Sequence, residues 1–348
     1  MPILARRAIL AALAANLSLS VGDVVRAQPE PVPALAEDQR FMPYGEPGQL
    51  VDIGGRHINL LCTGAGGPTV ILMAGLFSWS LAWYKTQPVI AQKTRVCAFD
   101  RASYGFSDPA PRPQVLSDTV NDLHAALKVA QLPGPYVLVG HSLGGVEARL
   151  YAERWPKEVA GMVLVDTSPA GEMLMEVNLP GYDEVENREG YASAMLGCAL
   201  LEAHEPFDPS RPEYKGCASA LPSDTPTAFR KIWPRFFTAD YFADKVSLMS
   251  SLYTHRYDSV DHHRLGATPL VVLTANEKWD VATPTGVRFE QAFMKFWLAR
   301  HEALARLSTR GVHRYIKDSN HEIQLEKPQA VIDAVDEVLR QLHAGSKS

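Results

Sequence analysis

The sequence predicts a mainly parallel β-sheet with helices on both faces, interrupted by one helical insertion. Three observations lead there. Short runs rich in Val, Ile and Leu recur along the chain, as expected of strands buried on both faces. Segments with helical spacing of apolar residues alternate with them. One long interval carries aromatics, prolines and helical fragments but no strand run.

In chain order, the first residues read as an address. Arg6 and Arg7 precede an apolar segment from Ala8 to Leu19, too short to span a bilayer, and Val25-Arg26-Ala27 offers the small residues that a signal peptidase reads. Residues 1–27 are therefore expected to be a signal peptide for export to the periplasm or exterior. The paired arginines make the twin-arginine route a candidate, and an apolar helix that stays attached is the alternative. Residues 28–48, rich in proline and alanine, form a leader.

The first part of the core covers 49–169. Its strands are His57–Cys62, Thr69–Met73, Arg95–Phe99, Tyr136–Val139 and Gly161–Val165, and its helices are Leu116–Ala130 and Val146–Trp155. The interval 170–265 is the inserted helical cap. The second part, 266–348, adds strands Pro269–Thr274 and Val312–Ile316 and a helix from Pro328 to Leu342. There is no internal repeat or low-complexity tract.

Composition fits one large core with an insertion: 348 residues, 46% hydrophobic and 21% charged. A net charge of -5 without a basic run gives no footprint for nucleic acid. No integral membrane anchor is expected in the mature chain, and the sequence leaves the oligomeric state open. His262 and His263 are adjacent and lack the i, i+4 pairing of a helical zinc site, so neither metal nor cofactor is expected.

Four cysteines suit an oxidising compartment. Pairing Cys62 with Cys97 and Cys198 with Cys217 closes each bridge within one structural unit. Buried free thiols at Cys62 and Cys97 are the alternative.

The most informative stretch is Gly140-His141-Ser142-Leu143-Gly144-Gly145, set between a strand and a helix. A sharp strand-to-helix turn with small residues around one serine is a nucleophile elbow. A phosphate loop would need GxGxxG or GxxxxGK[ST], and neither is present. A serine hydroxyl is a poor nucleophile at neutral pH and needs a base; imidazole is suited to take its proton. His321, on the turn after the strand Val312–Ile316, is best placed among eleven histidines. His141 is read as packing or lining the pocket.

Together with the elbow, the segment Val70 to Leu76, the loop Asp100-Arg101-Ala102-Ser103-Tyr104-Gly105-Phe106-Ser107-Asp108, the strand end Val163-Leu164-Val165-Asp166 and the late His321 resemble an α/β-hydrolase-fold enzyme. The resemblance covers the chain from about Gln49 onward except the cap. It implies an eight-stranded, mostly parallel sheet and a triad in the order serine, acid, histidine. It also implies an oxyanion hole from the backbone N–H of Leu143 and, counting from Ala74-Gly75, of Leu76. Two departures stand out: Ala74 replaces the usual histidine of that loop, and Asn320 replaces the usual glycine before the late histidine.

The acid has two candidates. Asp166 ends the strand Gly161–Val165, whereas Asp280 follows Pro269–Thr274, the more usual location; Asp166 is preferred, with Glu277 a poorer rival to Asp280. The loop 100–108 is read as scaffold, with Asp100 and Arg101 paired. Trp233, Phe236, Phe237, Tyr241 and Phe242 are read as cap core or as a substrate wall, as are Phe77, Trp79 and Trp83 nearer the oxyanion loop. The expected function is an exported serine hydrolase of small carboxylic esters working through an acyl-enzyme. Lactonase, amidase or peptidase, carbon–carbon hydrolase and perhydrolase chemistry remain compatible, and a non-catalytic small-molecule receptor is the contrasting class.

Overall fold

The computed structural model describes residues 40–171, 178–180, 182, 188–208, 210–217, 221, 225–276 and 283–345. The expected signal peptide and most of the leader lie outside the described residues. Among these, one sheet is built from β1 (Gln49–Asp52), β2 (His57–Thr63), β3 (Val70–Met73), β4 (Val96–Phe99), β5 (Tyr136–His141), β6 (Val159–Val165), β7 (Leu270–Ala275) and β8 (Gly311–Ile316). The strand order is β1-β2-β4-β3-β5-β6-β7-β8. β2 pairs antiparallel with β1 and β4, and every other pairing is parallel.

All seven strands read from the sequence are present. β1 was not anticipated, because only Val51 of its four residues is buried and the run carries no apolar signal. The central strands alternate between two cores. Val70, Leu72, Val137, Val139, Val163 and Val165 pack toward Val331, Val335 and Val338. Ile71, Met73, Leu138 and Leu164 pack toward Val120, Leu123 and Leu127. Burying an aliphatic side chain contributes roughly 1.5–3 kcal/mol, so both faces hold the sheet and leave its carboxyl edge free for a site.

The helices are α1 (Gln87–Ile90), α2 (Leu116–Val129), α3 (Leu143–Arg154), α4 (Arg188–Glu202), α5 (Thr227–Ile232), α6 (Ala239–Ser250), α7 (Pro284–Ala305), α8 (Ile323–Glu326) and α9 (Pro328–Gly345). α3 begins at Leu143 and not at Val146, because Gly144 and Gly145 carry no apolar pattern yet sit within the first turn. α7 was also not anticipated. Its start signals are nonetheless in the sequence: Thr283 Oγ1 accepts from the Gly286 N–H at 3.0 Å, and Pro284 occupies the first helical position.

Between β6 and β7 the described residues form helices and turns but no strand. Phe236, Phe237, Tyr241 and Phe242 are buried and pack onto the segment after β3. Ring centroids lie 5.0 Å apart for Trp79 and Phe236, and 4.8 Å apart for Tyr104 and Tyr241. These aromatics are core. Cys198–Cys217 closes a loop within this insertion, while Cys62–Cys97 joins directly opposed positions of β2 and β4. Both expected pairings form, the free-thiol alternative falls, and the bridges fit an oxidising compartment.

α7 docks on β7 through a buried polar seam. His301 is fully buried, donates Nε2–H to the Thr167 carbonyl at 2.7 Å, and accepts at Nδ1 from Thr274 Oγ1 at 2.6 Å. Thr274 in turn accepts from His313 Nε2 at 2.7 Å. Burial lowers the His301 pKa from 6.5 to about 4. An unfolded histidine takes up its proton near pH 6.5, so the stability gained by holding His301 neutral is complete above that pH. It is lost as the pH falls toward 4, by about 3 kcal/mol. His301→Gln is expected to be less stable than wild type at pH 7.5, with the gap narrowing by pH 4.5. Urea titrations across that range measure it, and a gap independent of pH contradicts the assignment.

Candidate active site

β5 runs into α3 with Ser142 as the junction, at φ 51° and ψ -121°. A non-glycine residue there carries strain of about 1–3 kcal/mol, which the surroundings must hold. The Ser142 N–H donates to the Val165 carbonyl at 3.1 Å, and the Ser142 carbonyl accepts from the N–H groups of Gly145 and Ser168 at 2.9 and 3.2 Å. Glycines permit the close approach. A Cβ on Gly140 would stand 2.3 Å from the Gly144 carbonyl oxygen, and one on Gly144 would stand 2.2 Å from that of Met73.

The structure brings Asp166 and His321 together. His321 Nδ1 donates to Asp166 Oδ2 at 2.6 Å, which fixes the tautomer and leaves Nε2 as the basic nitrogen. Asp166 itself has a positive φ of 40° and is buried. Its Oδ1 accepts from the Ala275 N–H and from Trp297 Nε1, both at 2.9 Å. Burial pushes this carboxyl up, but the His321 hydrogen bond and neighbouring charge outweigh it and hold Asp166 below the usual carboxylate range. Asp280 and Glu277 lie outside the described residues.

His141 is fixed by geometry. Its Nε2–H donates to the His321 carbonyl at 3.0 Å, and the two rings lie 4.6 Å apart. Burial holds its pKa below the ordinary histidine value, so it buttresses the turn as a neutral ring. Asn320 does not take the left-handed conformation in that turn; Asp318 does, at φ 55°. Asn320 Oδ1 instead accepts from the Glu322 N–H at 2.8 Å and closes the turn behind His321.

Leu143 N–H is the first amide of α3, where the helix has no acceptor for it. The loop through Leu76 lies alongside: a Cβ on Gly75 would stand 3.3 Å from Ser142 Cβ and 2.8 Å from His141 Nδ1. What holds this loop is Arg101. Its Nη2 and Nη1 donate to the carbonyls of Ala74 and Gly75 at 2.5 and 3.1 Å. Its Nε and Nη2 also grip both oxygens of Glu147 at 2.7 Å, and Thr119 Oγ1 donates to the same carboxylate. Burial works against the Arg101 charge, and Glu147 more than offsets it.

The expected Asp100–Arg101 pair is therefore replaced by Arg101–Glu147. Asp100 accepts instead from the N–H of Ser80, from Asn59 Nδ2 and from the N–H of Phe106. Three further residues shape the site without a sequence signal for their role. Trp297 reaches Asp166 from α7, Glu147 anchors Arg101 from α3, and Arg149 donates to Thr167 Oγ1 and the Ser168 carbonyl at 2.9 and 2.7 Å. Thr167 Oγ1 lies 3.2 Å from the Ser142 carbonyl oxygen.

Known proteins agree with this architecture. The family model described as the alpha/beta hydrolase fold matches residues 68–205, a stretch that includes the elbow and Asp166. The uncharacterized protein YbdG of Bacillus subtilis is 24% identical over 232 residues, 66% of this chain and 68% of that protein. Other curated relatives match shorter segments that span less than half of their own length. A candidate lipase of Acinetobacter baumannii has a TM-score of 0.62 at 17% identity, covering 89% of this chain and 96% of its own. A thermophilic esterase of Thermogutta terrifontis has a TM-score of 0.57 at 20% identity, covering 86% and 98%. At these identities the structural likeness speaks for the fold alone, and with the sheet order and the partial family match it shows that this chain has the α/β-hydrolase fold.

Proposed function

We propose that the chain is an exported serine hydrolase that cleaves carboxylic esters through an acyl-enzyme, with the helical segment between β6 and β7 as its cap. The observation that carries this reading is the 2.6 Å hydrogen bond between His321 and Asp166 beside a serine held at positive φ. Membership of a hydrolase fold and neighbours that include a candidate lipase and an esterase support it. The two disulfides support export; under this reading the secreted protein begins at Gln28.

The steps follow from the donors and acceptors in place. Ser142 Oγ attacks the ester carbonyl as its proton passes to His321 Nε2, and the imidazolium is stabilised by Asp166. Negative charge collects on the former carbonyl oxygen, met by the N–H groups of Leu143 and Leu76 and by the positive end of α3, worth about half a charge. The C–O bond breaks as the imidazolium proton moves to the departing alkoxide. Water then attacks the acyl-enzyme by the same route, returning a proton to Ser142 and releasing the acid. Arg101 acts through the backbone: by holding the carbonyls of Ala74 and Gly75, it aims the Leu76 N–H.

Ser142→Ala is expected to lower turnover of p-nitrophenyl esters on the order of a millionfold and to abolish fluorophosphonate labelling, with thermal stability unchanged. Wild-type turnover in that variant would end this reading. Tight binding of esters by the native chain without hydrolysis or labelling would favour a receptor.

Asp166→Asn is expected to cost on the order of 10⁴ in kcat, because the wrong tautomer of His321 then faces the serine. A loss under tenfold, with the protein folded, would move the acid elsewhere.

For Arg101→Lys, kcat is expected to fall on the order of a hundredfold, the scale of losing one oxyanion donor, while KM changes little. A change confined to thermal stability would leave Arg101 a purely structural residue.

A further inference from the structure

Away from the proposed catalytic edge, a cleft of about 310 Å³ opens between the 3-10 helix His255–Asp261, the segment that follows it and the C-terminal end of α7. Its wall is cationic. Arg264, Arg300 and Arg306 line it with His262, and Leu304 and Leu307 add an apolar side. The single carboxylate of the lining, Asp261, is buried and already engaged. It meets Arg300 Nη2 at 2.8 Å, Arg149 Nη2 at 3.1 Å and the Ala170 N–H at 3.1 Å.

Three guanidinium groups thus line the cleft, and its one carboxylate serves Arg300 and the buried Arg149. Among the described residues neither Arg264 nor Arg306 has a carboxylate partner. Arg264 is nevertheless held, because Nη1 donates to the Arg306 carbonyl at 2.9 Å, leaving its other donors for the cleft. The negative end of α7 gives one reason to find a cation here. A helix terminus carries only about half a charge, which accounts for part of one arginine and not for three around one cavity.

We propose that this cleft is a binding site for a phosphate-type dianion carried on a small organic group. Guanidinium forks match the oxygen spacing of phosphate and bond it in pairs. Arg264 and Arg306 take the phosphate oxygens, and Arg300 adds its charge while staying on Asp261. At roughly 30 Å³ per water, the cleft has room for about ten waters, more than a bare phosphate displaces. Leu304 and Leu307 give the organic group an apolar surface.

Isothermal titration of the full chain with phenyl phosphate and with inorganic phosphate, at fixed ionic strength, tests the site. Phenyl phosphate is expected to bind with one-to-one saturation and more tightly than inorganic phosphate. The Arg264→Gln/Arg306→Gln double variant is expected to bind it at least about tenfold more weakly, the scale of one charge-assisted hydrogen bond, with the thermal stability of the ligand-free protein unchanged. Equal affinity for the two probes would make the bare ion the ligand and overturn the organic part of the proposal. Absence of saturable binding, or undiminished affinity in the double variant, would overturn the site itself.

Discussion

The junction at Ser142 is the constraint on which the rest of the structure depends. Only Ser142 separates β5 from α3, so the chain must reverse direction within one residue, and that residue adopts φ 51°. Reversal on this scale brings backbone against backbone. The β5 strand at Gly140, the helix at Gly144 and the end of β3 at Met73 approach so closely that a single methyl group would collide. These contacts require β3 and β5 to be parallel neighbours, as they are, and they place the first amides of α3 at the sheet's carboxyl edge. The strained serine, the helix N-terminus and the loop through Leu76 are thus consequences of one geometric demand.

Buried charge is distributed around that junction in three assemblies. Arg101 with Glu147 holds the loop at Ala74 and Gly75, Asp166 with His321 holds the histidine, and Arg149 with Asp261 holds Thr167 and Ser168. Replacing a buried ion pair by well-packed hydrophobic residues is often neutral or stabilising, so stability alone is a poor reason for the two arginine–carboxylate pairs. Each has in common that its donors reach backbone or side-chain atoms within a residue or two of Ser142, of the loop at Ala74 and Gly75 or of Asp166. The argument favours positioning: a guanidinium supplies several donors at fixed angles, and in a dry site it fixes carbonyl directions that apolar packing cannot.

Much of this was legible in the sequence, because β3 to β7 are largely buried on both faces and announce themselves as apolar runs. The elbow was legible because its glycines are demanded locally, and Asp166 because it terminates such a run. β1 escaped because three of its four residues face solvent. α7 was not anticipated although its signal is present: behind the Thr-Pro start, Phe289, Phe293, Trp297, His301 and Leu304 recur at three- and four-residue spacing. With α7 went Trp297, whose indole N–H meets Asp166 across 131 residues of sequence. Arg101 and Glu147 are 46 residues apart, and nothing local distinguishes that pairing from the adjacent Asp100, which turns the other way to cap the segment at Ser80.

Asp261 joins the cationic cleft to the candidate active site. One of its oxygens faces Arg300 in the cleft and the other faces Arg149 in the core, and Arg149 reaches Thr167 and Ser168 on the loop that follows Asp166. Ser168 N–H and Thr167 Oγ1 both converge on the Ser142 carbonyl. A dianion drawing on Arg300 would share that guanidinium with Asp261 and leave the carboxylate more dependent on Arg149. Arg149 is buried and its Nη1 and Nη2 engage Thr167, Ser168 and Asp261, so the contacts that begin at Arg300 run through the interior to atoms beside Ser142. The cleft arginines and the elbow are therefore joined by one continuous chain of polar contacts through Asp261, Arg149 and Thr167.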